Sequence, residues 1–251
     1  MINTEENKDK KPIGRGTSKR LKIGYIQLSG CMGDILSFTE NFDDFTDLLD
    51  SMDIVYGQTL VDVWDMPDMD VVFVEGSLCL DDQASIEELK EARRKSKVLV
   101  ALGSCAVTGG FTLYSRGNQQ AQPQHSSFVP LKDVVQVDLA VPGCPVSPEI
   151  TKKVLSALAY DNMDYLAPFR DIASESGVCG YNLQEKIVSK SLCVGCGMCA
   201  SSCPTRAMTM LDAMPRFNYD RCVRCGLCYY QCTRSWMMTD EVKREIGLWE
   251  D

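Results

Sequence analysis

Cys193-Val-Gly-Cys196-Gly-Met-Cys199-Ala-Ser-Ser-Cys203-Pro204 is answered further along the chain by Cys222-Val-Arg-Cys225-Gly-Leu-Cys228-Tyr-Tyr-Gln-Cys232-Thr233. Each half is a C-x2-C-x2-C-x3-C run, the spacing that serves a pair of [4Fe-4S] cubes. Two-residue gaps let one tight loop present three soft thiolates to three iron corners, while the fourth cysteine points to the opposite cube. Cys193, Cys196 and Cys199 are therefore expected to be completed by Cys232, and Cys222, Cys225 and Cys228 by Cys203. Zinc, which prefers four ligands in two separated pairs, fits a third cysteine two residues after a C-x2-C pair poorly.

Working outward, 251 residues suffice for one sizeable core and a small appended module. Thirteen cysteines would suggest disulfides in a secreted chain, but eight already stand in cluster spacing. The first twenty residues are polar and no apolar run follows Lys19-Arg20, so a secretory leader is not expected. No apolar run approaches bilayer length, and a reduced cytoplasmic location without a membrane span is expected. The net charge of −9 is uneven: residues 21–189 carry 12 basic against 25 acidic side chains, and residues 1–20 carry six against three. Such an acidic surface argues against nucleic acid as a partner. Residues 1–20 read as a flexible N-terminal arm.

From Leu21 the pattern alternates strand and helix. Lys22–Leu28 reads as a strand, about Asp34 to Leu49 as an amphipathic stretch, and Met69–Val74 as a buried parallel strand. Asp82–Ser96 reads as a helix, Lys97–Leu102 and Val134–Val141 as further strands. Ser147-Pro148-Glu149 is a helix start with a hydroxyl cap, running to about Tyr160. The expected fold is α/β: a flavodoxin-like open parallel sheet with helices on both faces, followed by a two-cluster α+β domain. Domain expectations are 21–165 for the sheet, 166–188 for a linker and 189–251 for the cluster domain, with 108–133 as a long surface loop.

Three more cysteines follow strand ends. Strand one leads into Gly30-Cys31-Met32-Gly33-Asp34, the third strand into Gly103-Ser104-Cys105-Ala106, and the last into Pro142-Gly143-Cys144-Pro145; Glu75-Gly76-Ser77 follows the second. Ligands in an open parallel sheet bind beyond the carboxyl ends of the strands, so these thiols are expected to converge on a third cluster. From the residues alone the fourth ligand stays open. Cys79 offers the softer donor; Asp34 lies in the right loop, three residues after Cys31, where it would equally serve as a helix cap.

These pieces resemble the small subunit of the [NiFe] hydrogenases. The matching motifs are Cys31-x2-Asp34, Val74-Glu75-Gly76-Ser77, Gly103-Ser104-Cys105-Ala106 and Pro142-Gly143-Cys144-Pro145, over residues 21–160. Within that family the fused two-cluster module is similar to the gamma subunits of the coenzyme F(420)-reducing hydrogenases of methanogens. Most small subunits have cysteine where Asp34 stands; the methanogen group has aspartate, so the resemblance favours Asp34 as the fourth ligand. Thr233, in place of the proline common after the last cysteine, is not a ligand position.

The resemblance implies three [4Fe-4S] clusters here, a Ni-Fe centre in a large (alpha) partner subunit and FAD in a beta partner subunit. It also implies a hetero-oligomer in which electrons from H2 pass through this chain to a flavoprotein that reduces coenzyme F(420), an 8-hydroxy-5-deazaflavin. No catalytic residue is then expected in this chain, with Glu75 a candidate proton relay or a cap of backbone amides. His125 reads as a surface-loop residue, Cys179 as a linker thiol, and Arg221, Arg224 and Arg234 as solvated or offsetting cluster charge. Two rival readings keep the iron but change the acceptor: a hydrogenase small subunit feeding heterodisulfide reductase, or an iron-sulfur subunit of a quinone-reducing complex. The latter predicts a vicinal cysteine pair, and Cys31-Met32 is not one.

Overall fold

A computed structural model describes residues 20–40, 52–58, 60–114, 127–174 and 179–236. The N-terminal arm up to residue 19, His125 and the stretch 41–50 lie outside the described residues. Five strands form one parallel sheet: β1 (Leu21–Gln27), β2 (Met52–Gly57), β3 (Met69–Glu75), β4 (Ser96–Leu102) and β5 (Leu139–Val141), in the order β2-β1-β3-β4-β5. This is the flavodoxin-like doubly wound order. Val71 to Glu75 and Leu99 to Leu102 are buried at every position regardless of parity, so both faces of the sheet centre are covered.

The helices that follow the strands are α1 (Gly33–Thr39), α2 (Gln83–Lys95), α3 (Gly103–Thr108), α4 (Gly110–Tyr114), α5 (Pro148–Ala159) and α6 (Met163–Ser174). In α2, Leu89 and Ala92 face the core. Its start is fixed by Asp82, whose carboxylate accepts the Ala84 and Ser85 amides at 3.1 and 3.4 Å. Those bonds, with the Ser85 hydroxyl first among them, hold the Asp82 carboxyl below its ordinary range.

The expected strand over Val134–Val141 is shorter than its apolar composition suggests. The amides of Val134 and Val135 both bond the Leu131 carbonyl at 3.0 Å, so a turn takes up the donors a strand would use. Asp138 then stitches the sheet edge, accepting the Leu99 amide at 2.8 Å and pairing with the Arg93 guanidinium at the end of α2. Ser147 stands at the cap position of α5, but its hydroxyl makes no capping bond. Within the expected surface loop 108–133, the described residues include α4 and the strand pair of Phe128–Val129 with Leu78–Cys79.

The expected linker 166–188 is largely helical. Helix α6 runs through residue 165 and packs on β5. Beyond it come α7 (Gly180–Leu183), a π turn over Gln184–Val188, α8 (Met198–Ser201), the antiparallel pair β6 (Met208–Leu211) and β7 (Met214–Phe217), and α9 (Leu227–Tyr230). Among the described residues no helix is long and apolar enough to cross a membrane.

Asp138→Ala removes one ion pair and one backbone acceptor together. It should cost about 2 kcal/mol of stability, read as a lower melting temperature, whereas an unchanged melt would contradict the stitching role.

Candidate functional site

The register of the sheet sets the site. Gln27 pairs with Glu75, Glu75 with Leu102, and Leu102 with Val141, so four strands end in one row. The segments that follow them leave from one rim: loops carry Cys31 and Cys144, and the first turn of α3 carries Cys105. The three thiols lie near enough to act on one another electrostatically: Cys31 and Cys105 on Cys144, and Cys31 on Cys105. Burial pushes the Cys105 thiol up and the Cys144 thiol up to about 12, the neighbouring sulfurs adding to the effect. Protonated thiols are the stable form there until a cationic group draws the protons off.

Asp34 completes the rim from the first turn of α1. Its Oδ1 accepts the Val146 amide at 2.8 Å and its carboxylate faces Cys144. Burial raises its carboxyl to about 6; the Val146 amide pulls the other way and the Glu75 charge adds to the rise. Gly103 makes room for it. A Cβ on Gly103 would lie 1.8 Å from Asp34 Oδ2, and the φ of +84° itself favours glycine. Cys79, the rival fourth ligand, sits on the two-residue ladder with its sulfur 3.9 Å from the Ser127 hydroxyl.

Glu75 is 1 % exposed. It accepts the Ile35 amide at 2.9 Å and the Tyr25 hydroxyl, and burial, followed by the Glu75 charge, drives the Tyr25 pKa far up. The residue is placed as a buried cap that ties β3 to the start of α1.

In the C-terminal module, Cys193, Cys196, Cys199 and Cys232 line one cavity, and Cys203, Cys222, Cys225 and Cys228 line another. The fourth cysteine of each run thus stands with the first three of the other. Each set rings a space instead of closing on a point, and among the described residues no three Cys, His, Asp or Glu groups gather tightly enough for a single ion. Backbone amides point at the sulfurs: Gly195 to Cys193 at 3.5 Å, Ala207 to Cys203 at 3.2 Å and Arg224 to Cys222 at 3.4 Å. Burial raises Cys199 to about 11 and Cys225 to about 12. Soft thiols around cavities, met by N–H donors, suit iron–sulfur cubes.

The two parts are joined through the rim. Ser104 donates its hydroxyl to the Cys225 carbonyl at 2.7 Å, and the Thr108 hydroxyl lies 2.8 Å from the Arg224 carbonyl. Val223, Cys225 and Leu227 pack against Phe111, Tyr114 and Cys144. Arg224, expected to be solvated or to offset cluster charge, lies 5.5 Å over the Tyr114 ring. Cys179, expected as a linker thiol, is 5 % exposed and packed beside Cys203 and Cys222. Neither contact had a local signal in the sequence.

A parallel sheet with thiols on its carboxyl rim, docked to a module with two four-thiol cavities, defines an iron–sulfur electron-transfer subunit. Residues 31–158 match the family model described as NADH ubiquinone oxidoreductase, 20 Kd subunit, and residues 185–233 the 4Fe-4S dicluster domain. The chain is 42% identical to the coenzyme F420 hydrogenase subunit gamma of Methanosarcina barkeri over 81% of its length and 83% of that protein's. The subunit of the same name from Methanococcus voltae is 41% identical over 78% of this chain and 87% of its own. A crystal structure of an NAD+-reducing [NiFe]-hydrogenase shares the fold, with a TM-score of 0.50 and 24% identity over 57% of this chain and 93% of that one. The chain belongs to the family of coenzyme F420 hydrogenase gamma subunits, the small subunits of [NiFe] hydrogenases, and is an iron–sulfur, electron-carrying hydrogenase subunit.

Gly103→Ala should lose about 1–2 kcal/mol from its left-handed backbone alone, and more from displacing Asp34. Pairing it with Asp34→Gly should recover only the second part in thermal melts; simple additivity of the two variants would show that the carboxylate does not occupy the glycine's space.

Proposed function

We propose that this chain is the electron wire of a cytoplasmic [NiFe] hydrogenase that reduces coenzyme F(420). The observation that carries it is the packing of Cys225 against Cys144, which puts one module cavity directly behind the rim. In this reading Cys31, Asp34, Cys105 and Cys144 hold one [4Fe-4S] cluster. Cys203, Cys222, Cys225 and Cys228 hold a second, and Cys193, Cys196, Cys199 and Cys232 a third. Asp34 keeps Oδ1 on the Val146 amide, which fixes its carboxylate near Cys144.

Each cluster supplies one-electron chemistry at a potential set by its ligands, its hydrogen bonds and its burial. Electrons from H2 oxidation at a Ni-Fe centre in the large alpha subunit enter at the rim. They pass first to the Cys225 set, against the order of the sequence, and then to the Cys193 set. Cys222, Cys225 and Cys228 are buried whereas Cys196 is exposed, so the Cys193 set is the outlet. The receiver is an FAD-bearing beta subunit, within a larger hetero-oligomer, that passes hydride to the deazaflavin. Glu75, enclosed as a cap, takes no step in this relay.

Iron analysis of the anaerobically purified complex should give about twelve iron atoms per chain, four for each cube. A value near eight would remove the rim cluster. A flavoprotein competent in coenzyme F(420) reduction should purify with the chain; recovery with heterodisulfide reductase instead would change the acceptor. Asp34→Cys should retain the rim cluster and shift its potential, and an unshifted potential would show that Asp34 is not a ligand.

A further inference from the structure

The two cysteine runs share one spacing, yet the chain leaves their last cysteines in different ways. After Cys232 it continues as the short helix α10 (Thr233–Trp236), with the Ser235 amide and hydroxyl on the Cys232 carbonyl at 3.0 and 2.8 Å. Among the described residues no hydrogen bond reaches the Cys232 sulfur. After Cys203 the chain turns instead. The Arg206 amide bonds the Cys203 carbonyl at 3.2 Å, and Arg206 takes a left-handed φ of +53°. That turn brings two donors back onto the Cys203 sulfur. One is the Ala207 amide at 3.2 Å, and the other is the Thr205 hydroxyl at 3.8 Å, a long contact to a large, polarisable acceptor.

Thr205 also lines the cavity ringed by Cys203, Cys222, Cys225 and Cys228. Among the described residues the Cys203 sulfur is the one hydrogen-bond partner of its hydroxyl. Between a thiol and a hydroxyl either group could donate. An iron ligand is a thiolate with no proton to give, so in the loaded site the threonine is the donor.

We propose that Thr205 is a positioning residue that raises the reduction potential of the cluster at the Cys225 set by donating a hydrogen bond to the Cys203 sulfur. This rests on the cluster assignment and the relay proposed above. Reduction adds negative charge to the cluster and its sulfurs, so a donor on one of them favours the reduced state. The Ala207 amide acts in the same sense but belongs to the backbone, which leaves Thr205 as the adjustable part. Cys232, the matching ligand of the Cys193 set, has no such donors. Two runs of identical spacing therefore differ in what meets their crossing sulfur, and the set beside the rim is the one helped to accept an electron. Thr205 is not a ligand, so its effect is separable from cluster binding.

The test is a redox titration of the intact anaerobic complex followed by electron paramagnetic resonance, with iron content measured alongside. Thr205→Val should keep the iron content and make one module cluster about threefold harder to reduce, a downward shift of about 28 mV for one electron. The other two potentials should stay where they are, and Thr205→Ser should restore the native value. Unchanged potentials in Thr205→Val, a shift in Thr205→Ser as large as in Thr205→Val, or a shift shared by all clusters would overturn the proposal. Should Thr205→Val lose iron, Thr205→Ala decides: a downward shift of one potential with iron retained supports the donor, and no shift or a second loss of iron sinks it. A native complex without two module clusters would instead overturn the relay reading itself, and this proposal with it.

Discussion

The structure depends on a row of strand ends. Parallel pairing with Gln27, Glu75, Leu102 and Val141 in one register forces the following loops to leave the sheet at one level. Cysteines at positions 31, 105 and 144 become neighbours for that reason alone. A one-residue slip of any strand would carry the segment after it about 3.3 Å out of that row, so the pairing of the sheet and the position of the rim thiols are specified together. Gly103 and Asp34 show how little freedom remains, since the carboxylate occupies the volume where any other residue would carry its Cβ.

The second dependence is the seam between rim and module. Ser104 and Cys105 are adjacent in α3: one hydroxyl grips the Cys225 carbonyl while the next side chain is a rim thiol. The helix that carries a rim thiol therefore also ties the rim to the module. Arg224 over Tyr114 and the apolar packing of Val223 and Leu227 close the seam. The Cys225 set is buried on the rim side, whereas Cys196 of the other set is exposed.

What could be read from the sequence was what is local or periodic. The two C-x2-C-x2-C-x3-C runs announce their chemistry within eleven residues each, and buried strands such as Val71–Val74 announce theirs by unbroken apolar character. The ends of β1, β3, β4 and β5 were legible, and with them the placing of Cys31, Cys105 and Cys144 just past strand ends, whereas β2 was not read. Val134–Val137 was misread because apolar residues that cover a core in a turn have the same composition as a strand. Long-range contacts left no trace: Ser104 and Cys225 are 121 residues apart, and Cys179 meets Cys222 only through folding.

An iron-edge anomalous map of the anaerobic complex tests the wire most directly. The expected result is three four-iron centres in sequence: one between Cys31, Asp34, Cys105 and Cys144, the next at the Cys225 set, and the last at the Cys193 set. Density missing from the rim, or the Cys193 set lying between the rim and the Cys225 set, would contradict it.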